Sequence, residues 1–179
     1  MKVGIGLILN DDTSAQITSL ENEISRIIGL DSGLKQPPHI TIKSPFDVPD
    51  MTRILDFFEV FANTVEPIHV SMSGFCYFEP TTAYIAVNRN KDIYNLHKRL
   101  LAELESNMDI KPNIYEGDNI VFHTSTAINM SKEQYERAYK HLSKLPLVTY
   151  ETVIDKIGLL VLKEETNNWI IYQSLSLSS

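Results

Sequence analysis

The chain has 179 residues, of which 43% are hydrophobic and 22% charged, the balance of a globular protein with a core large enough for one domain. Its formal net charge is −7, which argues against an extended nucleic-acid surface because such surfaces need clustered lysines and arginines. No apolar run approaches the roughly 20 residues that cross a membrane, and a single cysteine, Cys76, excludes an intrachain disulfide. These features predict a cytoplasmic protein that contacts no membrane.

Hydrophobic periodicity, capping residues and turn residues predict seven strand regions and four helices. The first apolar strand is short and lacks the small-residue cleavage site of a signal peptide. Ser131 and Gln134 resemble a capping box at the start of the fourth helix. In chain order the prediction is strand 2–9, helix 13–28, strand 39–43, helix 50–63, strands 67–78 and 82–88, a helix from Asp92, strand 119–127, helix 131–143, and strands within 147–162 and at 168–177.

This order of elements predicts an α+β fold that is bilobal and internally duplicated, with mainly antiparallel sheets around a central cleft and helices outside. We expect one two-lobed domain over residues 1–179, built from approximate half-units 1–90 and 91–179. A doubly wound nucleotide-binding fold is not indicated, because Gly4 and Gly6 form only a fragment of the glycine-rich fingerprint.

Two short motifs, His39-Ile-Thr41 and His123-Thr-Ser125, lie 84 residues apart in corresponding places of the repeat. Alternate residues of a strand share a face, so each motif should present one histidine and one hydroxyl together. If the two halves pack around a pseudo-twofold axis, the four side chains line one cleft. A single motif of this kind is usually structural, but two at equivalent positions indicate a shared site.

Two histidines and two hydroxyls suit general acid–base chemistry on a phosphate ester. An imidazole has an ordinary pKa of about 6.5 and exchanges protons near neutrality. One histidine can activate water or a sugar hydroxyl while the other protonates the leaving oxygen. Hydroxyls, an imidazolium and backbone N–H groups can together carry the phosphate charge without a metal. Either histidine can be the base, and the reverse reaction exchanges their roles.

The segments Pro38-His-Ile-Thr-Ile-Lys43 and Phe122-His-Thr-Ser-Thr126 resemble the paired signatures of the two-histidine phosphoesterase superfamily. That group includes 2′-5′ RNA ligases, cyclic nucleotide phosphodiesterases and 2′,5′-oligoadenylate phosphodiesterases. The resemblance covers most of the chain. It implies catalysis without metal or cofactor, with His39 and His123 as acid and base and Thr41 and Ser125 as phosphate-binding hydroxyls.

The resemblance also implies a class of substrate and a role in RNA processing. Members act on 2′,3′-cyclic phosphates, 1″,2″-cyclic phosphates or 2′,5′ linkages, so the expected partner is a small nucleotide or an RNA end. The alternatives are a non-catalytic nucleotide- or phosphate-binding module of the same fold, and a 2′-5′ ligase that runs the reverse reaction. Intact paired motifs favour an enzyme, because binding alone requires no acid and base.

Three further residues are candidates for substrate binding. Lys43 extends the first motif, and its alternatives are a charge on the phosphate side or a solvated lysine at a strand end. Phe46 and Tyr115 are candidates for stacking on a base at the rim of the cleft. A zinc site is not indicated, because the chain has no paired His and Cys spacing. The remaining histidines are predicted to be structural or solvated: His69, His97 and His141.

Overall fold

The structure is a computed structural model that describes residues 1–30 and 36–178. Within these residues the chain forms eight strands, four α-helices and one short 3-10 helix at Gly117–Asn119. The helices are α1 (Asp11–Ile28), α2 (Met51–Ala62), α3 (Lys91–Met108) and α4 (Lys132–Leu142). The strands are β1 (Lys2–Ile8), β2 (His39–Asp47), β3 (Ile68–Phe78), β4 (Thr82–Val87), β5 (His123–Ala127), β6 (Thr149–Ile154), β7 (Lys156–Lys163) and β8 (Asn168–Ser176).

The strands form two four-stranded sheets, in the orders β2-β1-β7-β8 and β5-β4-β3-β6. Every neighbouring pair in both sheets is antiparallel. The predicted α+β class with antiparallel sheets is therefore confirmed. Each sheet takes two strands from residues 1–90 and two from 91–179, so neither half of the sequence forms a sheet alone.

The region predicted as strand between residues 147 and 162 is two strands in different sheets. The chain passes from β6 to β7 at Asp155. In β6, exposed and buried residues alternate, as in a strand with one solvated face. In β7, which lies between β1 and β8 in its sheet, the middle residues are all buried, so both faces of this strand are covered.

Two helices begin earlier than predicted because asparagines cap them. The Asn10 side chain accepts a hydrogen bond from the Thr13 N–H at 2.9 Å, so α1 starts two residues before Thr13. Asn90 caps α3 in the same way. The predicted capping box of α4 is confirmed, since the side chains of Ser131 and Gln134 each bond the other's backbone N–H.

The edge strands β2 and β5 contact each other, and this contact brings the two histidine motifs together. Helix α1 packs against α4 and β5, and α3 packs against β2. A small apolar cluster lies where α1 and α4 cover β4 and β5, formed by Ile24, Ile28, Ala83, Ala127, Met130, Ala138 and Leu142. None of the described helices is both long and apolar enough to cross a membrane.

A buried ion pair fixes the loop before β5 to β2. Lys43 is 1% exposed and Glu116 is 4% exposed, and Lys43 Nζ lies 2.7 Å from Glu116 Oε2. Glu116 also accepts hydrogen bonds from the backbone N–H groups of Ser44 at 2.7 Å and Asn113 at 2.8 Å. The carboxylate is therefore satisfied by three donors, and it ties the loop before β5 to β2.

Replacing Glu116 by alanine should strongly destabilise the protein. The change leaves the Lys43 ammonium buried without a counter-ion, and removing one partner of such a pair costs about 3–5 kcal/mol of folding stability. Urea unfolding followed by circular dichroism measures this loss. The matched control is Asp118→Ala, which removes the partner of the exposed Lys98 and should leave the midpoint unchanged. Equal midpoints for Glu116→Ala and the wild type would contradict this account of the loop.

Candidate active site

The four residues of the two motifs line one cavity. It has a volume of about 60 Å³, and its wall includes His39, Thr41, His123 and Ser125. The faces divide as the alternation of a strand requires, since Ile40 and Ile42 are fully buried on the other side of β2. The structure thus brings the four residues of the two motifs together.

Both histidine rings are oriented by the same backbone interaction. His39 Nδ1 lies 2.7 Å from the carbonyl oxygen of Pro37, and His123 Nδ1 lies 2.6 Å from that of Val121. Each carbonyl belongs to the residue two positions before the histidine. Because a carbonyl oxygen only accepts, Nδ1 carries the proton in both rings, and Nε2 is the atom free to gain or lose a proton.

The first hydroxyl is already engaged with its histidine. Thr41 Oγ1 lies 3.2 Å from His39 Nε2. With Nδ1 protonated, the neutral ring accepts at Nε2 and the threonine hydroxyl donates. A phosphate oxygen entering the cavity can take over this donor, which frees Nε2 for proton transfer.

Gly6 leaves the space that the His39 ring occupies. In the sheet, Gly6 of β1 lies opposite Thr41, and a Cβ added to Gly6 would lie 2.7 Å from His39 Cδ2. Real Cβ atoms do not approach other atoms so closely, so any other residue at position 6 displaces the imidazole. The glycine is needed here for close approach rather than for an unusual backbone conformation.

Aromatic rings hold His123. The ring centroids of Phe78 and Tyr84 lie 5.1 Å and 4.8 Å from that of His123, in edge-to-face and tilted arrangements. Tyr84 lies opposite Ser125 in the sheet, so the tyrosine and the second motif share one surface. Tyr84 therefore packs directly against the second histidine of the site.

Burial lowers the pKa of both histidines. For His39 the loss of solvent is the main cause, the hydrogen bond to Pro37 partly offsets it, and the nearby His123 lowers the pKa further. For His123 burial again dominates over the opposing hydrogen bond to Val121. Both imidazoles are therefore mainly neutral near pH 7 in the empty site.

A second recess adjoins the cavity on the side of β1 and β8. It has a volume of about 80 Å³ and shares Gln36, His39 and Thr41 with the first cavity. Trp169 of β8 lines it. The place of Trp169 in this recess depends on the pairing of β8 with β7, which the sequence alone does not reveal.

The structure gives Lys43 a partner other than phosphate. The side chain lies in the wall of the second recess, but its ammonium is paired with Glu116. The predicted alternative of a solvated strand-end lysine is wrong, because Lys43 is 1% exposed. The positive charge expected on the phosphate side is neutralised by a carboxylate from a loop that is distant in the sequence.

The two predicted stacking residues lie outside the walls of both recesses. Phe46 is partly buried against the main core, and its ring centroid lies 5.3 Å from Lys43 Nζ. Tyr115 is 73% exposed on the loop before β5, next to the anchored Glu116. Tyr115 is therefore exposed to solvent, whereas Phe46 mainly packs.

The other histidines lie away from the cavity. His97 is fully buried, where its Nδ1 donates to the Ile42 carbonyl at 2.8 Å and its Nε2 accepts from the Gly117 N–H at 2.8 Å. His141 Nε2 lies 2.9 Å from a carboxylate oxygen of Glu23. Within residues 1–30 and 36–178, no three His, Cys, Asp or Glu side chains form a cluster that could hold a metal ion.

Sequence reasoning missed Glu21, which lies on α1 and lines the histidine cavity. The residue is 3% exposed. A signal was present, because Glu21 falls on the same helical stripe as Ile17, Ile24 and Ile28, where an apolar residue is expected. That α1 covers β5 could not be read from the sequence.

Comparison with known proteins identifies the family. The family model of the 2′-5′ RNA ligase superfamily matches residues 10–166. A Geobacillus thermodenitrificans (strain NG80-2) protein with a provisional phosphoesterase name is 30% identical over 145 residues, which is 77% of each chain. A Staphylococcus aureus (strain Newman) protein with the same provisional name is 23% identical over 147 residues, covering 79% of this chain and 81% of the relative.

Solved structures share the fold over the whole chain. TT0787 of Thermus thermophilus has a TM-score of 0.64 at 13% identity, covering 99% of this chain and 98% of that one. E. coli LigT complexed with 3′-AMP has a TM-score of 0.62 at 7% identity with the same coverage. The family match supports a function of the phosphoesterase or ligase type and confirms the predicted resemblance to the superfamily. The chain belongs to the 2′-5′ RNA ligase superfamily of two-histidine phosphoesterases.

Proposed function

We propose that the protein is a metal-independent phosphoesterase that hydrolyses a phosphodiester of a small nucleotide or RNA terminus. The bond is a 2′,3′- or 1″,2″-cyclic phosphate or a 2′-5′ linkage. The observation that carries this proposal is the pair of imidazoles in one cavity, each with Nδ1 bonded to a backbone carbonyl, so that Nε2 is the nitrogen that exchanges a proton. Such a pair supplies the base and the acid of one displacement at phosphorus.

The proposed reaction needs one neutral and one protonated histidine. Nε2 of the neutral ring removes a proton from water as the water oxygen bonds to phosphorus. The bond between phosphorus and the leaving oxygen breaks, and the protonated ring donates its Nε2 proton to that oxygen. The hydroxyls of Thr41 and Ser125 donate hydrogen bonds to the phosphate oxygens that bond neither water nor leaving group. Water is consumed, and the net proton count of the two histidines is unchanged.

The dimensions of the site support a small substrate or a chain end. The histidine cavity, about 60 Å³, is smaller than the 300 Å³ or more typical of drug-sized ligand pockets, and suits a phosphate group. A sugar or base would then lie in the adjoining recess beside Trp169 or toward the exposed Tyr115. The complexes of E. coli LigT with 3′-AMP and with NADP+ support a nucleotide as the ligand class.

The proposal predicts turnover in the presence of EDTA. The purified protein would be incubated with 2′,3′-cyclic nucleotides, ADP-ribose 1″,2″-cyclic phosphate and 2′,5′-linked oligoadenylate, and the products identified by chromatography. His39→Ala and His123→Ala should each lower kcat by at least 10²-fold, because each removes one proton-transfer step. Thr41→Ala and Ser125→Ala should have smaller effects, because each removes one hydrogen bond to phosphate.

The matched control is His69→Ala, which changes an exposed histidine of β3 outside the cavity and should retain wild-type turnover. Full turnover by either cavity variant would contradict the two-histidine mechanism. Nucleotide binding with no turnover by the wild type would favour a binding module of the same fold. Joining of RNA ends instead of cleavage would favour the ligase.

The pH dependence should show two limbs. The reaction needs one protonated and one neutral histidine, and burial lowers the pKa of both. The value of kcat/KM should therefore peak below the ordinary histidine pKa of about 6.5. It should fall as the pH rises through the higher of the two lowered pKa values. In kcat the alkaline limb should lie at higher pH, because the bound phosphate anion stabilises the imidazolium. Initial rates between pH 4.5 and 9 test this, and a kcat/KM that is still rising above about pH 7.5 would disagree with it.

Replacing Gly6 by alanine should impair turnover more than folding. The new Cβ would displace the His39 ring, and a misplacement of about 1 Å can cost on the order of 10²-fold in rate. Gly4→Ala is the matched control on the same strand, because its Cβ would meet no atom closer than 3.5 Å. We expect a much larger loss of kcat for Gly6→Ala than for Gly4→Ala at similar thermal stability. Similar kcat values for both variants would show that the ring position is not critical.

A further inference from the structure

Glu21 is an acidic residue within an apolar helix face. The neighbouring positions of the stripe, Ile17, Ile24 and Ile28, are fully buried, and Glu21 itself is 3% exposed. Its Oε1 has no hydrogen-bond partner among the described residues. An ionised carboxylate in such a place is strongly disfavoured, so the group is held as the neutral acid. Burial raises the pKa of Glu21 to about 8.

Glu21 belongs to the wall of the histidine cavity. Glu21 lines the same space of about 60 Å³ as His39, His123 and the two hydroxyls. On α4, the other element packed on α1, His141 is paired with Glu23. Among the described residues, the titratable groups that meet Glu21 at the cavity are the two histidines, and all three groups are mainly uncharged near pH 7.

We infer that Glu21 is a third phosphate-binding group of the site, whose carboxylic acid donates a hydrogen bond to a non-bridging oxygen of the substrate. This inference rests on the proposed phosphoesterase function. An ionised carboxylate would repel a phosphodiester anion, whereas the protonated acid offers an O–H donor. Thr41 and Ser125 approach from the two strands, and Glu21 adds a donor from the helix that covers them.

The inference predicts a specific loss of anion affinity at alkaline pH. Sulfate is a suitable probe, because it is a tetrahedral oxyanion that does not titrate between pH 7 and 10. Above about pH 8 the Glu21 carboxyl ionises, so the affinity for sulfate should fall by about tenfold for each pH unit. Glu21→Gln keeps an N–H donor and cannot ionise, so its sulfate affinity should not show this step.

Isothermal titration calorimetry with sodium sulfate tests this in the wild type, Glu21→Gln, Glu21→Leu and Glu23→Gln. The matched control Glu23→Gln makes the same chemical change at the contact with His141, and it should keep the wild-type pH dependence. Glu21→Leu restores the apolar stripe, so it should raise the urea midpoint while weakening sulfate binding at pH 7. If Glu21 had only a structural role, Glu21→Leu would not raise the urea midpoint and weaken sulfate binding at the same time.

The outcomes separate this inference from the proposed function. Absence of sulfate binding by the wild type, the same pH dependence in the wild type and Glu21→Gln, or undiminished binding by Glu21→Leu would each overturn the role of Glu21. A wild type that binds sulfate as expected but turns over no phosphodiester would refute the hydrolase and leave the anion-binding acid standing. A wild type that turns over substrate, with kcat/KM unchanged at pH 7 in Glu21→Leu, would refute the role of Glu21 alone.

Discussion

The hydrogen bond from each imidazole Nδ1 to the carbonyl two residues upstream is the constraint on which the site depends. It holds each ring against its own edge strand and leaves Nε2 as the nitrogen that can gain or lose a proton. The same geometry on β2 and β5 makes the two rings chemically alike, so the acid and base roles are set by protonation rather than by different residue types. Because β2 and β5 are the edges of separate sheets, their mutual contact is what converts two local motifs into one site.

Buried polar groups hold that contact in place. The pair of Lys43 and Glu116 fixes the loop before β5 to β2, and His97 bonds the backbone of β2 and of the same loop. The His97 ring also packs against Phe122, the residue before the second histidine, with centroids 5.7 Å apart. These interactions are costly to break because each partner is desolvated. Burial keeps His39 and His123 mainly neutral near pH 7, so among the described wall residues one histidine must gain a proton before it can act as the acid.

Local chemistry was predictable from the sequence where a residue's role depends on its immediate neighbours. The alternation of His39 and Thr41 with buried isoleucines fixes which side chains share a face of β2. The position of the second motif in the repeat indicated that β5 carries the other histidine. The ion pair of Lys43 was not predictable, because Glu116 lies 73 residues away and no periodicity links the two. Glu21 was overlooked because its meaning depends on which sheet α1 covers. The division of residues 147–162 between two sheets depended in the same way on tertiary pairing.

The central claim is that the two histidines act as one unit on a single phosphodiester. The most direct test compares single-turnover rates of the wild type, His39→Ala, His123→Ala and the double variant on one substrate that the wild type opens. If the rings are the acid and base of the same step, the double variant should be about as slow as either single variant, because the first loss already disables the unit. Multiplicative losses, with the double variant slower by the product of the two single effects, would show independent roles and contradict the account.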